Sequence, residues 1–157
     1  MIATGIDPGG SAALAVVADG ALVALHDVSG VHWLSKMQTA ILAAKGPIWI
    51  ERPAKKIHKG SPMRNHNSAF GLGRNVGRWE AVAAWYGLTL TLVETSEWWA
   101  ALPTRLTGKR GDGLHRVEEC CGMVRGCRAA LEAIPEKRRP DAAEAVLIAW
   151  AASRCSP

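Results

Sequence analysis

Apolar and polar positions repeat with two periods along the chain, and the points where the period changes mark its elements. Residues 1–7 read as a strand, and two further apolar runs follow at 12–18 (AALAVVA) and 21–28 (ALVALHDV). Asp19-Gly20 separates those runs, and an Asp-Gly pair between β-prone segments signals a hairpin because both residues tolerate positive φ. Three antiparallel strands are therefore predicted at the N-terminus. Helical spacing takes over at 31–45, where Val31, Leu34, Ile41 and Leu42 recur behind Ser29-Gly30, and the segment ends near Gly46-Pro47. A short buried strand, Ile48 to Glu51, follows.

Residues 52–68 are polar and basic and contain two prolines and a glycine, which predicts a long loop; such loops in compact domains are usually functional or mobile. Helical periodicity resumes around Phe70 and runs to Tyr86. Leu72, Val76, Trp79, Ala83 and Tyr86 form a core stripe there, while Val82 and Trp85 widen it enough to leave room for a dimer contact. Leu88 to Glu94 alternates as LTLTLVE and reads as a strand. Ser96 is placed to N-cap a short helix, SEWWAAL, that Pro103 stops. A Gly-rich basic loop is predicted at 104–113, then helices at about Leu114 to Met123 and Arg128 to Ile134. The last helix starts at Pro140, a favoured first-turn residue, and runs to about Ser153. Hairpin strands followed by alternating helices and strands describe a mixed sheet with helices on its faces, an α/β fold.

A chain of 157 residues is expected to form one domain, 1–157, with a sizeable core. No apolar run reaches the roughly 18 residues of a membrane span. No basic segment precedes an apolar one at the N-terminus, so a cytoplasmic protein with no membrane partner is expected. Cys120, Cys121 and Cys127 lie close together, but their spacing does not match the paired cysteines of a structural zinc site. With Cys155 they read as free thiols.

Net charge is +5, and the basic residues are clustered. Arg52, Lys55, Lys56, Lys59 and Arg64, with His58 and His66 among them, directly follow Glu51. Arg74 with Arg78, Arg105 with Lys109 and Arg110, and Lys137 to Arg139 form others. Each cluster alone could be a solvated surface; together they favour a polyanionic partner.

Four carboxylates stand out against this positive background. Asp7 closes the first strand in GIDPGG, Glu51 ends PIWIE, and Asp141 and Glu144 open the helical run PDAAEAVLIAWAA. Asp7 before Pro8-Gly9 could be an ordinary turn residue, and Asp141 and Glu144 ordinary helix-start acids. If the first and fourth strands are parallel neighbours, however, Asp7 and Glu51 meet at their ends. Asp141 and Glu144, three apart, share one helix face, and the positive end of the helix dipole helps to hold them. Such a set of hard oxygen donors suits Mg²⁺, and a pair of these ions can activate water and stabilise a leaving oxygen in phosphodiester cleavage.

With this ordered set the chain resembles the RuvC-type Holliday-junction resolvases, in particular their phage-like branch. The likeness covers most of residues 1–153 and includes Asn67-Ser68-Ala69, Leu72-Gly73 and Gly77, which are similar to the family's small-residue segment opening its long central helix. The resemblance implies a ribonuclease H-like fold and a homodimer that acts on branched DNA. It implies two Mg²⁺ ions per site, with Mn²⁺ able to substitute, held by Asp7, Glu51, Asp141 and Glu144. Glu144 stands where many bacterial members carry Asp. The family's basic residue near the start of the helix after the Gly-rich loop would be one of Lys109, Arg110, His115 or Arg116.

Lys55, Lys56, Lys59, Arg64, Arg74, Arg78, Lys109 and Arg110 would grip phosphates. Phe70 or Met63 would help hold the opened junction centre, although core packing is the more ordinary role for Phe70. A nuclease for other branched DNA or structured RNA, and a non-catalytic binder of branched nucleic acid, remain alternatives. An actin-like phosphate-binding fold would account for GIDPGG but calls for two lobes and a much longer chain.

Overall fold

The computed structural model describes residues 1–52, 62–103 and 113–155, with side chains from residue 70 and residue 115 onward in the latter two segments. Five strands form one mixed sheet in the order β3-β2-β1-β4-β5. β1 (Ile2–Asp7), β2 (Ala13–Ala18) and β3 (Ala21–Asp27) are antiparallel, as the apolar runs and the Asp19-Gly20 pair predicted. The β2–β3 turn holds Asp19 at φ 50° and Gly20 at φ 73°, a turn whose twist matches that of the strands it joins. β4 (Ile48–Glu51) and β5 (Thr91–Val93) run parallel to β1.

Period-2 alternation splits the core in two. Leu14 and Val16 of β2, with Ile6, Ile48 and Ile50, face α1 (Trp33–Ala43) and α2 (Pro62–Trp85). Ala13, Ala15 and Val17 face the opposite layer, built from α3 (Thr95–Ala100), α4 (Gly113–Met123), α5 (Cys127–Glu132) and α6 (Arg139–Cys155). A 3-10 turn at Glu136–Arg138 leads into α6. Among the described residues no helix is long and apolar enough to cross a membrane.

Several boundaries differ from the sequence reading. α2 begins at Pro62, so it takes up the second half of the expected loop 52–68. Proline, with φ preset for a helix and no N–H to satisfy, is well suited to a first helical position. α1 starts only after His32 has turned through φ 63°, which rotates the helix so that Met37, Ala40 and Ile41 are buried while Val31, Leu34 and Leu42 are exposed. Glu94, not Ser96, caps α3: its side chain and that of Glu97 reciprocate as a capping box. β5 is confined to three residues because only Thr91–Val93 pair with β4.

Backbone meets backbone where β1 packs on α6. A Cβ placed on Gly5 would meet the backbone N of Ala149 at 2.2 Å and the backbone O of Ala145 at 2.3 Å. α6 can lie this close because its inner residues are small: Ala142, Ala143, Ala145, Ala149, Ala151 and Ala152 are all buried. Gly5→Ala must push a helix backbone off the sheet, costing about 3 kcal/mol or more. Denaturant unfolding should report that loss as a lower midpoint; an unchanged midpoint would contradict the packing.

Candidate active site

The contact at Gly5 also sets the direction of the acids. Alternate residues of β1 share a face, so Asp7 points to the same side as Gly5, toward α6. Ala145 and Ala149 lie over Gly5, which leaves the earlier residues of α6 over the end of β1. In the parallel pair, Ile6 is in register with Ile50, and one step further Asp7 comes beside Glu51. Glu51 shares its face with Trp49, which packs in the α6 layer.

Carboxylate oxygens of Asp7, Glu51 and Glu144 consequently all lie within 4.8 Å of one another. Asp141 is not one of that group, but it lies close enough to Asp7 to raise its proton affinity and accepts hydrogen bonds from the backbone and hydroxyl of Ser11. Because α6 starts at Arg139, Asp141 lies in its first turn, whereas Glu144 falls in the second rather than in the first.

The electrostatics follow from this crowding. Asp7 is 4% exposed. Burial first, then the charges of Asp141 and Glu51, raise its pKa to about 8, against the lowering effects of the Gly9 N–H and Arg116. The Gly9 N–H donates to Asp7 Oδ1 at 2.9 Å. Burial likewise raises the pKa of Asp141, opposed by Ser11 and Arg116. Glu144 is ion-paired with Arg116 of α4, and Glu51 accepts a hydrogen bond from the Thr95 hydroxyl. A pocket of carboxylate oxygens, one of them kept protonated near neutrality chiefly by burial, has the donor chemistry of a divalent-cation site.

The other candidates fall in three groups. Phe70 is 75% exposed, so it is not a core residue and its ring is free to meet a partner. Arg74 is exposed, and the Arg78 guanidinium stacks 4.3 Å above the Trp33 ring. Met63 and Arg64 belong to α2, but their side chains lie outside the described residues, as do Lys55, Lys56, Lys59, Lys109 and Arg110. Arg52 is ion-paired with Glu94, which reduces the charge it can offer to a phosphate.

Lys109 and Arg110 lie outside the described residues; of the other two basic candidates, Arg116 pairs with Glu144 and His115 pairs with Glu119 one turn along α4 at 3.3 Å. Thr95 and Ser11 were not anticipated. Thr95 follows a strand end, as the acids do, and that position was the available signal. Cys120 and Cys127, both free, meet Sγ to Sγ at 3.0 Å in the core.

No protein-family model matches the sequence, and no curated protein is detectably similar to it. Solved structures do match. Thermus thermophilus RuvC in complex with a Holliday junction substrate superposes with a TM-score of 0.61 and 17% identity, covering 96% of this chain and 92% of that one. A second Thermus thermophilus RuvC structure gives 0.60 and 16%, covering 98% of this chain and 96% of that one.

This chain has the RuvC fold.

The expected ribonuclease H-like α/β architecture is thereby established over nearly the full length of both molecules, at an identity that speaks for the fold alone.

The raised pKa of Asp7 has a consequence for stability. Its folded value of about 8 lies above the ordinary 3.8, so the folded protein holds this proton more tightly than the unfolded chain does. The resulting stabilisation is fully present below about pH 3.8 and is lost as pH rises through 8. Asp7→Asn removes the dependence. Without metal ions its Tm should match wild type near pH 3.5 and exceed it at pH 9 by on the order of 10 °C. A constant Tm difference across that range would contradict the assignment.

Proposed function

We propose that this protein is a Mg²⁺-dependent, structure-selective DNA endonuclease that resolves four-way junctions by paired symmetric nicks, leaving 5′-phosphate and 3′-hydroxyl ends. The observation that carries the reading is the convergence of Asp7, Glu51 and Glu144 within 4.8 Å, from two parallel strand ends and the start of α6, in a chain with the RuvC fold. Asp7, Glu51, Asp141 and Glu144 would hold two Mg²⁺ ions, with Mn²⁺ able to substitute, because hard cations prefer such oxygen donors. When bound, the metal pair supplies an activated water and charge stabilisation for the departing 3′ oxygen.

The chain's own groups prepare that chemistry. The Gly9 N–H fixes one oxygen of Asp7, the Thr95 hydroxyl orients Glu51, and Ser11 anchors Asp141. Asp7 gives up its proton when positive charge arrives. Arg116 neutralises Glu144 in the free protein, and we assign it the family's basic position. Arg74 and Arg78 then offer positive charge to the DNA backbone, with Phe70 exposed for the junction centre. A synthetic four-way junction in Mg²⁺ should be cut by wild type. Asp7→Asn and Glu51→Gln should each lose at least about a hundredfold, the scale of one electrostatic catalytic contribution. Cutting that persists at the wild-type rate in Asp7→Asn would refute this site.

Resolving a junction symmetrically needs two sites, and an apolar surface supports a homodimer. Trp85 is 83% exposed at the end of α2. With Tyr86, Val82, Ala81 and Gln38 it lines an open groove of about 290 Å³. Exposed apolar surface of this kind marks association faces. Wild type should sediment at twice the mass of one chain and Trp85→Asp as a monomer; a monomeric wild type would remove the dimer from the proposal.

A further inference from the structure

A second concave surface adjoins the acids from the opposite face of the sheet. The β1–β2 turn, the β3–α1 connection and α2 enclose a groove of about 290 Å³ whose walls include Gly9, Gly10, Ser29, Trp33, Arg74 and Arg78. No acidic side chain lines it among the described residues, so its charge is positive. Two features distinguish it from a passive surface hollow.

The first is the state of Arg78. Its guanidinium lies 4.3 Å from the Trp33 ring centroid, an arrangement that holds the plane in place and leaves its N–H edges available. One edge donates to Asn75 Oδ1 at 3.3 Å. A guanidinium fixed by stacking loses little freedom on binding, and its fork of donors matches phosphate oxygens. Arg74, one turn earlier on α2 and exposed, adds a second cation to the same groove.

The second is a direct link to the acids. Asn75 Nδ2 donates to the Gly9 carbonyl at 3.3 Å, and the Gly9 N–H donates to Asp7 Oδ1 at 2.9 Å. Gly9 therefore belongs to the groove wall and to the hydrogen-bond shell of Asp7 at once. A strand whose scissile phosphate reached Asp7 would pass its neighbouring phosphate along this wall. The glycines at 9 and 10 put no side chain in its way.

We propose that this groove is a phosphodiester subsite for the strand being cut, in which Arg74 and the Trp33-stacked Arg78 hold a phosphate beside the scissile one and Asn75 ties that grip to the Asp7 turn. The inference rests on the nuclease reading for its ligand, a DNA strand, and adds where and by which residues that strand is held. Asn75 acts as a positioning residue and Trp33 as the support of Arg78.

Binding and cutting are measured separately to test it. Four-way junctions carrying one neutral methylphosphonate at successive linkages around the branch are titrated with protein in chelator. Wild type should lose about tenfold in affinity at one linkage, the scale of a charge-assisted hydrogen bond. Arg78→Ala should bind the unmodified junction about tenfold more weakly and be clearly less sensitive than wild type to that same linkage, where only the Arg74 contact is left to lose. Trp33→Leu should show a partial version of this loss. Equal sensitivity in Arg78→Ala and wild type, no sensitive linkage in wild type, or no binding at all would each overturn the subsite. Parallel cleavage in Mg²⁺ reports on the nuclease itself. Interference without cutting keeps the subsite and removes the nuclease; cutting without interference does the reverse.

Discussion

The contact of α6 on β1 at Gly5 is the constraint from which the rest of the structure follows. Helix and strand backbones touch there, with Ala145 and Ala149 against a residue that has no side chain. That approach fixes the height of α6 above the sheet and its position along β1. Two residues after Gly5, Asp7 faces the first turns of the helix. The same packing that excludes water from the core therefore buries a carboxylate and sets two more beside it. The site is not appended to the fold; it lies at the end of this helix-on-strand contact.

Crowding acids at that point is electrostatically unfavourable, and the structure meets the cost in several ways. Asp7 takes up a proton and receives the Gly9 N–H. Glu144 pairs with Arg116, Glu51 is held by Thr95, and Asp141 by Ser11. The partners come from three different segments: the β1–β2 turn, α3 and α4. Such an arrangement keeps the carboxylates aimed at one another when no cation is present, so little reorganisation would accompany cation binding. Positive charge is distributed on the other side of the sheet edge, on α2, where Arg74 and Arg78 flank the turn that carries Gly9. These two arginines are thus separated from the acids by one glycine-rich turn.

Much of this was legible in the chain. The Asp19-Gly20 hairpin, the apolar runs of β1 to β3 and the acids at strand ends depend on local rules that tertiary packing reinforces. The helix starts were less legible. α1 turned its face away from Val31 and Leu34 because His32 adopts a left-handed conformation, and no sequence period encodes that. Pro62 started α2 inside a stretch whose polarity read as loop. Phe70 illustrates the same limit from the other side: an isolated aromatic in a helix looks like core, and only the position of the sheet reveals that it faces outward.

The sequence by itself determined the strands, the order of elements and which carboxylates terminate them, because those depend on residue type and on neighbours a few positions away. Packing across the sheet brought Arg116 to Glu144, set Thr95 and Ser11 beside the acids, and joined α2 to the Asp7 turn through Asn75. Each of those pairings spans elements whose separation is set by strand order and helix height. The physical reason is range: hydrogen-bonded periodicity is local, whereas the position of one side chain against another across the sheet depends on the packing of the whole core.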